Sequence, residues 1–474
     1  MATYRYTPIP APVPLALQNM RSQHLNNLTN TPMGVPTQEA AMHPDNFPFI
    51  ESTTQSTPAI YGVVQIKNIP FGASRAEIIA FLGRNSRILN DVHEPVHIIM
   101  ERVTSKTQDA FVEFMTVGDA VRAVEKHAEN INKGRITRLG ERPVELVLSS
   151  QAALLQTLFP LAAGVEWNNG RPKIKPPVEG QPWKTFKGFV TEEELTMLVK
   201  HVEVPSRSPY SKDCPQRPYE CMISTLKKYP WYMSNNITLR QRHAIYETTI
   251  KLIELLKIAI SRDTNGRFST VLNDQLLKRL VTAGMLCPGF SVLQKDNIAT
   301  VAGLPVAETY QYNQPRYADQ WVHLHALCPR PGLPVDVLEW YIAVLRDETA
   351  RRVHNLPALE RDDVRRRHEF TSEYFGYLWY EIGHPANGKD LEAATLHEAA
   401  RRELQAIERV IRRTFPTASE MSATHNHRGS AITQHSSATT QRGLSFPPGS
   451  VTIWLFSSPL LGTVLKVKME LLAD

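Results

Sequence analysis

The sequence predicts an α+β protein, with one β-α-β-β-α-β domain at residues 60–150, a mostly α-helical region after it, and disordered N- and C-terminal tails. Apolar and polar residues alternate in four short segments of the first domain, which is the spacing of half-buried strands. Apolar residues at three- to four-residue spacing, preceded by capping residues, recur from residue 191 onward and indicate helices. Residues 1–59 are rich in Pro, Asn and Thr and lack both patterns, so we expect them to be disordered.

The first domain contains four predicted strands and two predicted helices. The strands are VVQIKNI (63–69), VHIIMER (96–102), DAFVEFM (109–115) and RPVELVL (142–148). One helix begins after Ser74, where Glu77 completes a capping box, and the other begins after Thr116. This order is the split βαβ pattern, in which both helices cover one face of the sheet. We expect the other face to stay open.

The remainder of the chain divides by composition. The predicted parts are a linker at 168–182, a helical domain at 183–302, helical segments at 335–415 and a disordered or poorly ordered tail at 416–474. An apolar run in that tail, at 451–467, is shorter than the roughly 20 residues that a membrane span needs. We therefore predict no membrane association and expect the run to be part of a poorly ordered tail; the Ser/Thr/His-rich stretch before it is unrelated in composition to the rest of the chain.

Charge and cysteine content limit the possible function classes. The chain has 474 residues, a net charge of +6 and four cysteines, none in a C-x-x-C pair, which indicates a reduced, intracellular protein. A pI near 9.0 permits a polyanionic partner. No secretory signal is apparent, so we expect a nuclear and/or cytoplasmic location. Phosphate-binding, nucleophile-elbow and zinc-protease motifs are lacking, which predicts a protein that is not an enzyme and needs no cofactor or metal.

The strand TQDAFVEF (107–114) is the most specific motif in the chain. An RNA recognition motif carries K/R-G-F/Y-G/A-F-V-x-F/Y on its third strand, and the last five residues here fit that pattern. VVQIKNI fits the partner motif on the first strand. The domain therefore resembles an RNA recognition motif, the nucleotide-binding alpha-beta plait, and this resemblance implies binding of single-stranded RNA.

Strand alternation assigns these residues to the two faces of the sheet. Ala110, Val112 and Phe114 should face the helices, and the outward side chains should be Thr107, Asp109, Phe111 and Glu113. Members of the family stack two or three bases on outward aromatic rings. Gln65 and Asp109 stand in two of those places, so Phe111 is the one ring left for stacking.

Weak sheet aromatics resemble the quasi-RNA recognition motifs of F/H-type heterogeneous nuclear ribonucleoproteins, which bind single-stranded RNA with loops at the sheet edge. VVQIKNIPF (63–71), QDAFVEF (108–114) and GERPVEL (140–146) carry the likeness. By position, Lys67 and Arg142 take basic places and Phe71 takes the loop aromatic, whereas Pro143 replaces an aromatic residue. The expected RNA-binding residues are Lys67, Phe71, Lys106, Phe111 and Arg142.

Two function hypotheses follow. In the first, the protein binds single-stranded RNA and acts in post-transcriptional mRNA regulation or processing, while its helical region dimerises or recruits a partner. In the second, it is a protein-interaction scaffold whose sheet face docks a peptide instead of RNA. The polar sheet face and the acidic pair Asp109 and Glu113 favour the second hypothesis.

Three other segments are weaker candidates. HLHALC places His323, His325 and Cys328 near one another, with Cys287 as a possible fourth ligand, but the spacing matches no zinc pattern and favours ordinary packing. RDDVRRRHEF (361–370) favours a solvated helix face with Asp–Arg pairs over a phosphate site. RPYECMISTLKKYPWYMSNN (217–236) interleaves lysines with aromatic residues, and it favours core packing over nucleic-acid stacking.

Overall fold

The computed structural model describes residues 18–421 except 32, 84, 263–269, 368–371 and 386. The predictions for residues 1–17 and 422–474 lie outside the described residues. Among the helices that the structure describes, none is both long enough and apolar enough to cross a bilayer.

The segment 18–59 is ordered, so the prediction of disorder is wrong for this part of the chain. It forms helices α1 (Gln23–Thr29) and α2 (Gln38–Met42) and strand β1 (Phe49–Glu51), which pairs antiparallel with residues 327–329. Ser22 and Thr37 cap the two helices. The few apolar side chains of the segment enter the core of the helical region; the buried ones are Leu25, Leu28, Ala41, Phe47 and Phe49.

Residues 60–150 contain the six expected elements in the predicted order. They are β2 (Gly62–Lys67), α3 (Arg75–Leu82), β3 (Val96–Met100), β4 (Thr107–Phe114), α4 (Val117–Asn132) and β7 (Glu145–Ser149), with a short hairpin, β5 (Arg138–Leu139) and β6 (Arg142–Pro143), before the last strand. The four long strands form an antiparallel sheet in the order β3-β4-β2-β7. The capping box of Ser74 and Glu77 is present, and Thr116 caps α4.

Helices α3 and α4 cover one face of this sheet and enclose an apolar core. Val64, Ile66, Ala110, Val112 and Phe114 contribute to it from the strands, and each has no exposed surface. The inward side of β4 is therefore the side that strand alternation predicts.

Among the described residues, no linker separates the sheet domain from the helices that follow it. Helix α5 (Gln151–Leu158) follows β7 directly, and the predicted linker includes one strand of a small hairpin, β8 (Val165–Glu166) and β9 (Lys173–Ile174). The next helices are α6 (Glu192–Glu203), α7 (Pro209–Asp213), α8 (Arg217–Lys228), α9 (Leu239–Arg262), α10 (Asp274–Met285), α11 (Val292–Ala302) and α12 (Val306–Thr309).

The C-terminal part begins with β10 (Leu327–Pro329), the partner of β1. Its helices are α13 (Val335–His354), α14 (Ala358–Arg367), α15 (Ser372–Phe375), α16 (Leu378–Ile382), α17 (Gly388–Ala393) and α18 (Leu396–Thr414). Helices α17 and α18 are separate because Thr395 caps α18, with Glu398 completing the box. Residues 416–421 of the predicted tail are ordered, and Pro416 O accepts a backbone hydrogen bond from Gln38 at 2.9 Å.

A second, larger apolar core joins the other face of the sheet to the helices that follow. Val63, Ile99, Met100 and Phe111, on the sheet face opposite α3 and α4, belong to the same buried cluster as the side chains of α6, α8, α9 and α18. The prediction of an open sheet face is therefore wrong. Helix α8 packs on β3, and α5 packs on β2.

Candidate nucleic-acid interface and the closed sheet face

Helix α8 closes the sheet face on which the family would bind RNA. The sequence of this helix suits its two ends. Pro218 and Glu220 lie in the first turn and Lys227 and Lys228 in the last, where the helix dipole stabilises their charges. Phe111, the predicted stacking ring, is only 1% exposed beneath it. The structure thus places Phe111 in the interior, where it cannot contact a base.

A buried polar network joins the sheet to α8 and α5. The Glu113 carboxylate accepts hydrogen bonds from Lys228 Nζ at 2.7 Å, Gln151 Nε2 at 2.6 Å and His97 Nε2 at 3.1 Å. Burial alone would raise the pKa of Glu113, but the charge of Lys228 and the His97 hydrogen bond hold it well below its usual range. His97 also contacts Ser224 Oγ on α8, at 3.0 Å. Glu113, predicted to be an outward acid, is therefore half of a buried ion pair.

Arg217 ties α8 to the loop after β2. Its guanidinium is fully buried and donates to the carbonyl oxygens of Phe71 at 2.9 Å and Ala73 at 2.8 Å. Its Nε donates to Thr107 Oγ1 on β4 at 3.1 Å, and Glu220 supplies the countercharge. The contacts to Phe71, Ala73 and Thr107 exist only while α8 is docked, so they oppose opening of the face.

Arg102 makes a second clamp from the loop between β3 and β4. It donates to Leu158 O at 2.8 Å, to Glu194 at 3.2 Å and to Thr225 Oγ1 at 3.0 Å, which lie on α5, α6 and α8. Three helices are thereby fixed against one loop of the sheet domain. The sheet and these helices therefore pack as one unit around Arg102.

The remaining predicted residues lie at the edge of the sheet. The Arg142 guanidinium lies 4.8 Å from the centroid of the Phe71 ring and donates to Ile69 O at 3.3 Å. Lys67 is half-exposed, and its Nζ is 3.7 Å from Glu145. Lys106 is exposed on the loop between β3 and β4. Phe71 and Arg142 thus come together, and Lys67 ends the strand that precedes the Phe71 loop, whereas Phe111 lies in the interior.

The helical region contributes to this edge in a way that the sequence did not indicate. The Tyr210 ring meets the Phe71 ring edge-on, with centroids 5.3 Å apart. Ser208 Oγ donates to Thr104 O at 2.7 Å, next to Lys106. Arg207 and Lys212, beside these two contacts, are exposed. The only sequence signal was one tyrosine among basic residues in SRSPYSK (206–212). We call the resulting surface the rim, which comprises Lys67, Phe71, Lys106, Arg142, Arg207, Tyr210 and Lys212.

Asp109 and Gln65 have a structural role at the rim. Gln65 Nε2 donates to Asp109 Oδ2 at 2.8 Å, and the backbone N–H of Asn68 donates to Asp109 Oδ1 at 3.2 Å. Asn68 has a φ of 61°, a left-handed conformation that Asn adopts more readily than most residues. Its side chain donates to Pro143 O at 2.9 Å. Asp109 thus holds the loop that carries Phe71.

The aromatic segment 217–236 lies in the core, as favoured from the sequence. Tyr219, Tyr229 and Trp231 are 1–2% exposed, and the Tyr229 and Trp231 rings are 4.4 Å apart. Lys228 is buried in the Glu113 network. These side chains are therefore not available to stack on bases.

The histidines of HLHALC do not form a metal centre among the described residues, where no group of three or more possible ligands is found. The His325 ring packs against His384, with centroids 4.8 Å apart, and Cys328 Sγ accepts a hydrogen bond from Gln55 at 3.1 Å. Glu403 anchors the segment, because its carboxylate accepts the backbone N–H groups of His325 at 2.7 Å and Leu327 at 3.0 Å. The segment HLHALC is therefore a loop held by packing and by backbone hydrogen bonds to Glu403.

The basic run in 361–370 lies mainly on α14. Arg367 pairs with Asp363 at 2.7 Å, and Arg361 lies 3.9 Å from Asp362. Val364 faces the core and is 3% exposed. This described part is a solvated helix face with internal ion pairs, whereas residues 368–370 lie outside the described residues.

Two family models match parts of the chain. Residues 60–169 match a domain of unknown function (DUF8400), and residues 186–304 match another domain of unknown function (DUF8399). The comparisons with curated proteins and with solved structures find no match. The first matched region extends past the sheet to include α5, which agrees with the packing of α5 on β2.

Proposed function

We propose that the protein is a non-enzymatic RNA-binding protein that holds single-stranded RNA at the rim of an atypical RNA recognition motif. The strand order β3-β4-β2-β7, with α3 and α4 on one face, supports the assignment of the motif. The observation that carries the proposal is the contact of Arg142 and Tyr210 with Phe71 at an edge lined by basic residues. The role would be in mRNA processing or regulation, in the nucleus and/or cytoplasm.

The chemistry of the rim suits this ligand. Phe71 and Tyr210 offer rings for bases, and a base–aromatic stack contributes about 1–3 kcal/mol. The five cations of the rim can contact phosphates, and each such contact releases counterions. One or two stacks with a few phosphate contacts correspond to micromolar affinity, roughly 8 kcal/mol of binding free energy. The quasi-RNA recognition motifs that the domain resembles also bind RNA with edge loops.

A protein-interaction scaffold is the second candidate, with a docking surface other than the sheet face on which the peptide was expected. The sheet face already accepts a helix, α8, through apolar packing and the Glu113 network. A peptide from another protein would have to displace α8 to bind there. In this reading the helical region, by self-association or by binding a protein partner, provides the docking surface.

The test is fluorescence-anisotropy binding of the full chain to a random single-stranded RNA pool and to a G-rich oligomer, at low and physiological salt. Arg142→Ala and Phe71→Leu should each weaken binding about 5- to 100-fold, and Arg142→Ala should also reduce the salt dependence by nearly one phosphate contact. Arg365→Ala is the matched control, because Arg365 is exposed on α14, away from these loops.

The outcomes separate the two candidates. Binding that weakens in the two rim variants and not in Arg365→Ala supports RNA binding at the rim. If Arg142→Ala and Arg365→Ala lose affinity equally, RNA is not held at the rim. If the folded chain binds no RNA even at low salt, the RNA proposal as a whole is wrong. The scaffold then becomes the better explanation.

A further inference from the structure

The segment that connects β1 to β2 presents an exposed hydroxyl followed by proline. Residues 56–61 lie outside helices and strands, and Thr57, immediately before Pro58, is exposed. Proline-directed protein kinases require a serine or threonine hydroxyl in an accessible, non-regular backbone with proline as the next residue. Thr57 satisfies these requirements.

The other Ser/Thr-Pro pairs between residues 18 and 421 are engaged. Thr31 Oγ1 donates to Val35 O at 2.6 Å. Ser208 is 7% exposed, and its Oγ donates to Thr104 O. The Thr57 hydroxyl, in contrast, has no hydrogen-bond partner among the described residues. Thr57 is therefore the accessible one of the three.

A lysine without an ion-pair partner among the described residues lines the same cleft as Thr57. Thr57 lines a narrow cleft together with Lys227 and Lys228. Lys228 is paired with Glu113, whereas Lys227 Nζ donates to Val92 O at 3.0 Å and has no carboxylate within 4.0 Å in the described part of the chain. Burial lowers the pKa of Lys227, and the charge of Glu94, which is not in ion-pair contact with it, offsets this effect only in part. An added anion would supply the missing partner.

The surroundings of the cleft are also suited to an anion. A larger cleft of about 360 Å³ adjoins it through Ser56 and Tyr232 and contains Arg171. Its one lining carboxylate, Glu51, is 3.2 Å from His397 and accepts a hydrogen bond from Thr53 at 2.6 Å. The Glu51 carboxylate is thus already paired, whereas Lys227 has no ion-pair partner within 4.0 Å among the described residues.

We propose that Thr57 is a phosphorylation site for a proline-directed protein kinase and that Lys227 binds the resulting phosphate. In the reaction, Thr57 Oγ1 attacks the γ-phosphorus of ATP, the bond to the bridging oxygen breaks with its electron pair on ADP, and the kinase's base accepts the hydroxyl proton. The product carries about −1.5 to −2 charges at neutral pH. Its pairing with Lys227 joins the connecting segment to the end of α8.

The experiment treats the folded full chain with a proline-directed kinase and Mg-ATP and maps the phosphate by peptide mass spectrometry. We expect phosphate on Thr57, and loss of that phosphopeptide in Thr57→Val. Pro58→Ala should slow incorporation at least about tenfold, whereas Thr54→Ala, an exposed hydroxyl not followed by proline, should leave it unchanged. If a synthetic peptide of residues 51–63 is phosphorylated while Thr57 in the folded chain is not, the site is inaccessible and the proposal is wrong.

A second measurement tests the phosphate's partner. Hydrogen exchange of the amides in 56–61 should slow about fivefold on phosphorylation, the effect of one additional charge-assisted contact. Lys227→Gln should be phosphorylated at the same rate but lose this protection, and Lys133→Gln, on the exposed end of α4, should retain it. Equal protection in both variants would overturn the role of Lys227.

Discussion

The buried ion pair of Glu113 and Lys228 gives the sharpest test of how the sheet and helices are joined. Lys228→Met keeps the apolar stem but removes the ammonium, which lies 2.7 Å from Glu113 Oε1 and 2.9 Å from Gln151 Oε1. Glu113 is then left buried without its countercharge, and its remaining side-chain partners among the described residues are His97 and Gln151. Breaking a buried pair in this way costs about 3–5 kcal/mol of the free energy of unfolding.

The double variant Glu113→Gln/Lys228→Met removes both charges. We expect it to cost about 1–2 kcal/mol, clearly less than the sum of the two single variants, because neither charge is left uncompensated. The exposed pair of Lys133 and Glu129 provides the control, and Lys133→Met should change stability by no more than about 0.5 kcal/mol.

Urea denaturation followed by tryptophan fluorescence measures these differences, because Trp231 is buried in the joint core. A cost for Lys228→Met below about 1 kcal/mol, or costs that simply add in the double variant, would refute the argument that this pair fastens α8 to the sheet.

Two further predictions concern other parts of the molecule. Phe111→Leu should lower the free energy of unfolding by about 1–2 kcal/mol, because leucine packs imperfectly in the core. The same variant should change RNA affinity, measured by fluorescence anisotropy, less than twofold. A loss of affinity like that of Phe71→Leu would mean that the sheet face opens. Burial raises the pKa of Glu403 to about 7, although the backbone N–H groups of His325, Ala326 and Leu327 and the charge of Arg242 favour ionisation. Because the folded state then binds the Glu403 proton more tightly than the unfolded state, stability should fall by about 1.4 kcal/mol per pH unit as pH rises from about 4.5 to 7. In Glu403→Gln this slope should disappear from urea titrations, and an unchanged slope would assign it to other groups.

Local patterns in the sequence were sufficient for the elements of the sheet domain. The alternation in VVQIKNI and DAFVEFM placed β2 and β4, and the capping residues Ser74 and Thr116 placed the starts of α3 and α4. These features are local, because strand alternation and helix caps depend on neighbours within a few residues. For the same reason they placed Val112 and Phe114 on the inner face correctly.

The N-terminal segment shows where local patterns fail. Its composition cannot support a core of its own, yet Phe47 and Phe49 are buried against the helical region, and β1 pairs with a strand almost 280 residues later. Such order depends on a surface provided by another part of the chain. No pattern within the segment could report that surface.

The sequence by itself determined which side chains share each face of the sheet, because a period of two fixes that assignment. Only the tertiary structure decided what covers the outer face. Glu113 and Phe111 have the same place in the alternation whether they meet water, RNA or a helix, and the sequence favoured the open alternatives. Lys228, distant in sequence, supplies the charge that makes burial of Glu113 favourable, so the face closed and the rim became the accessible surface.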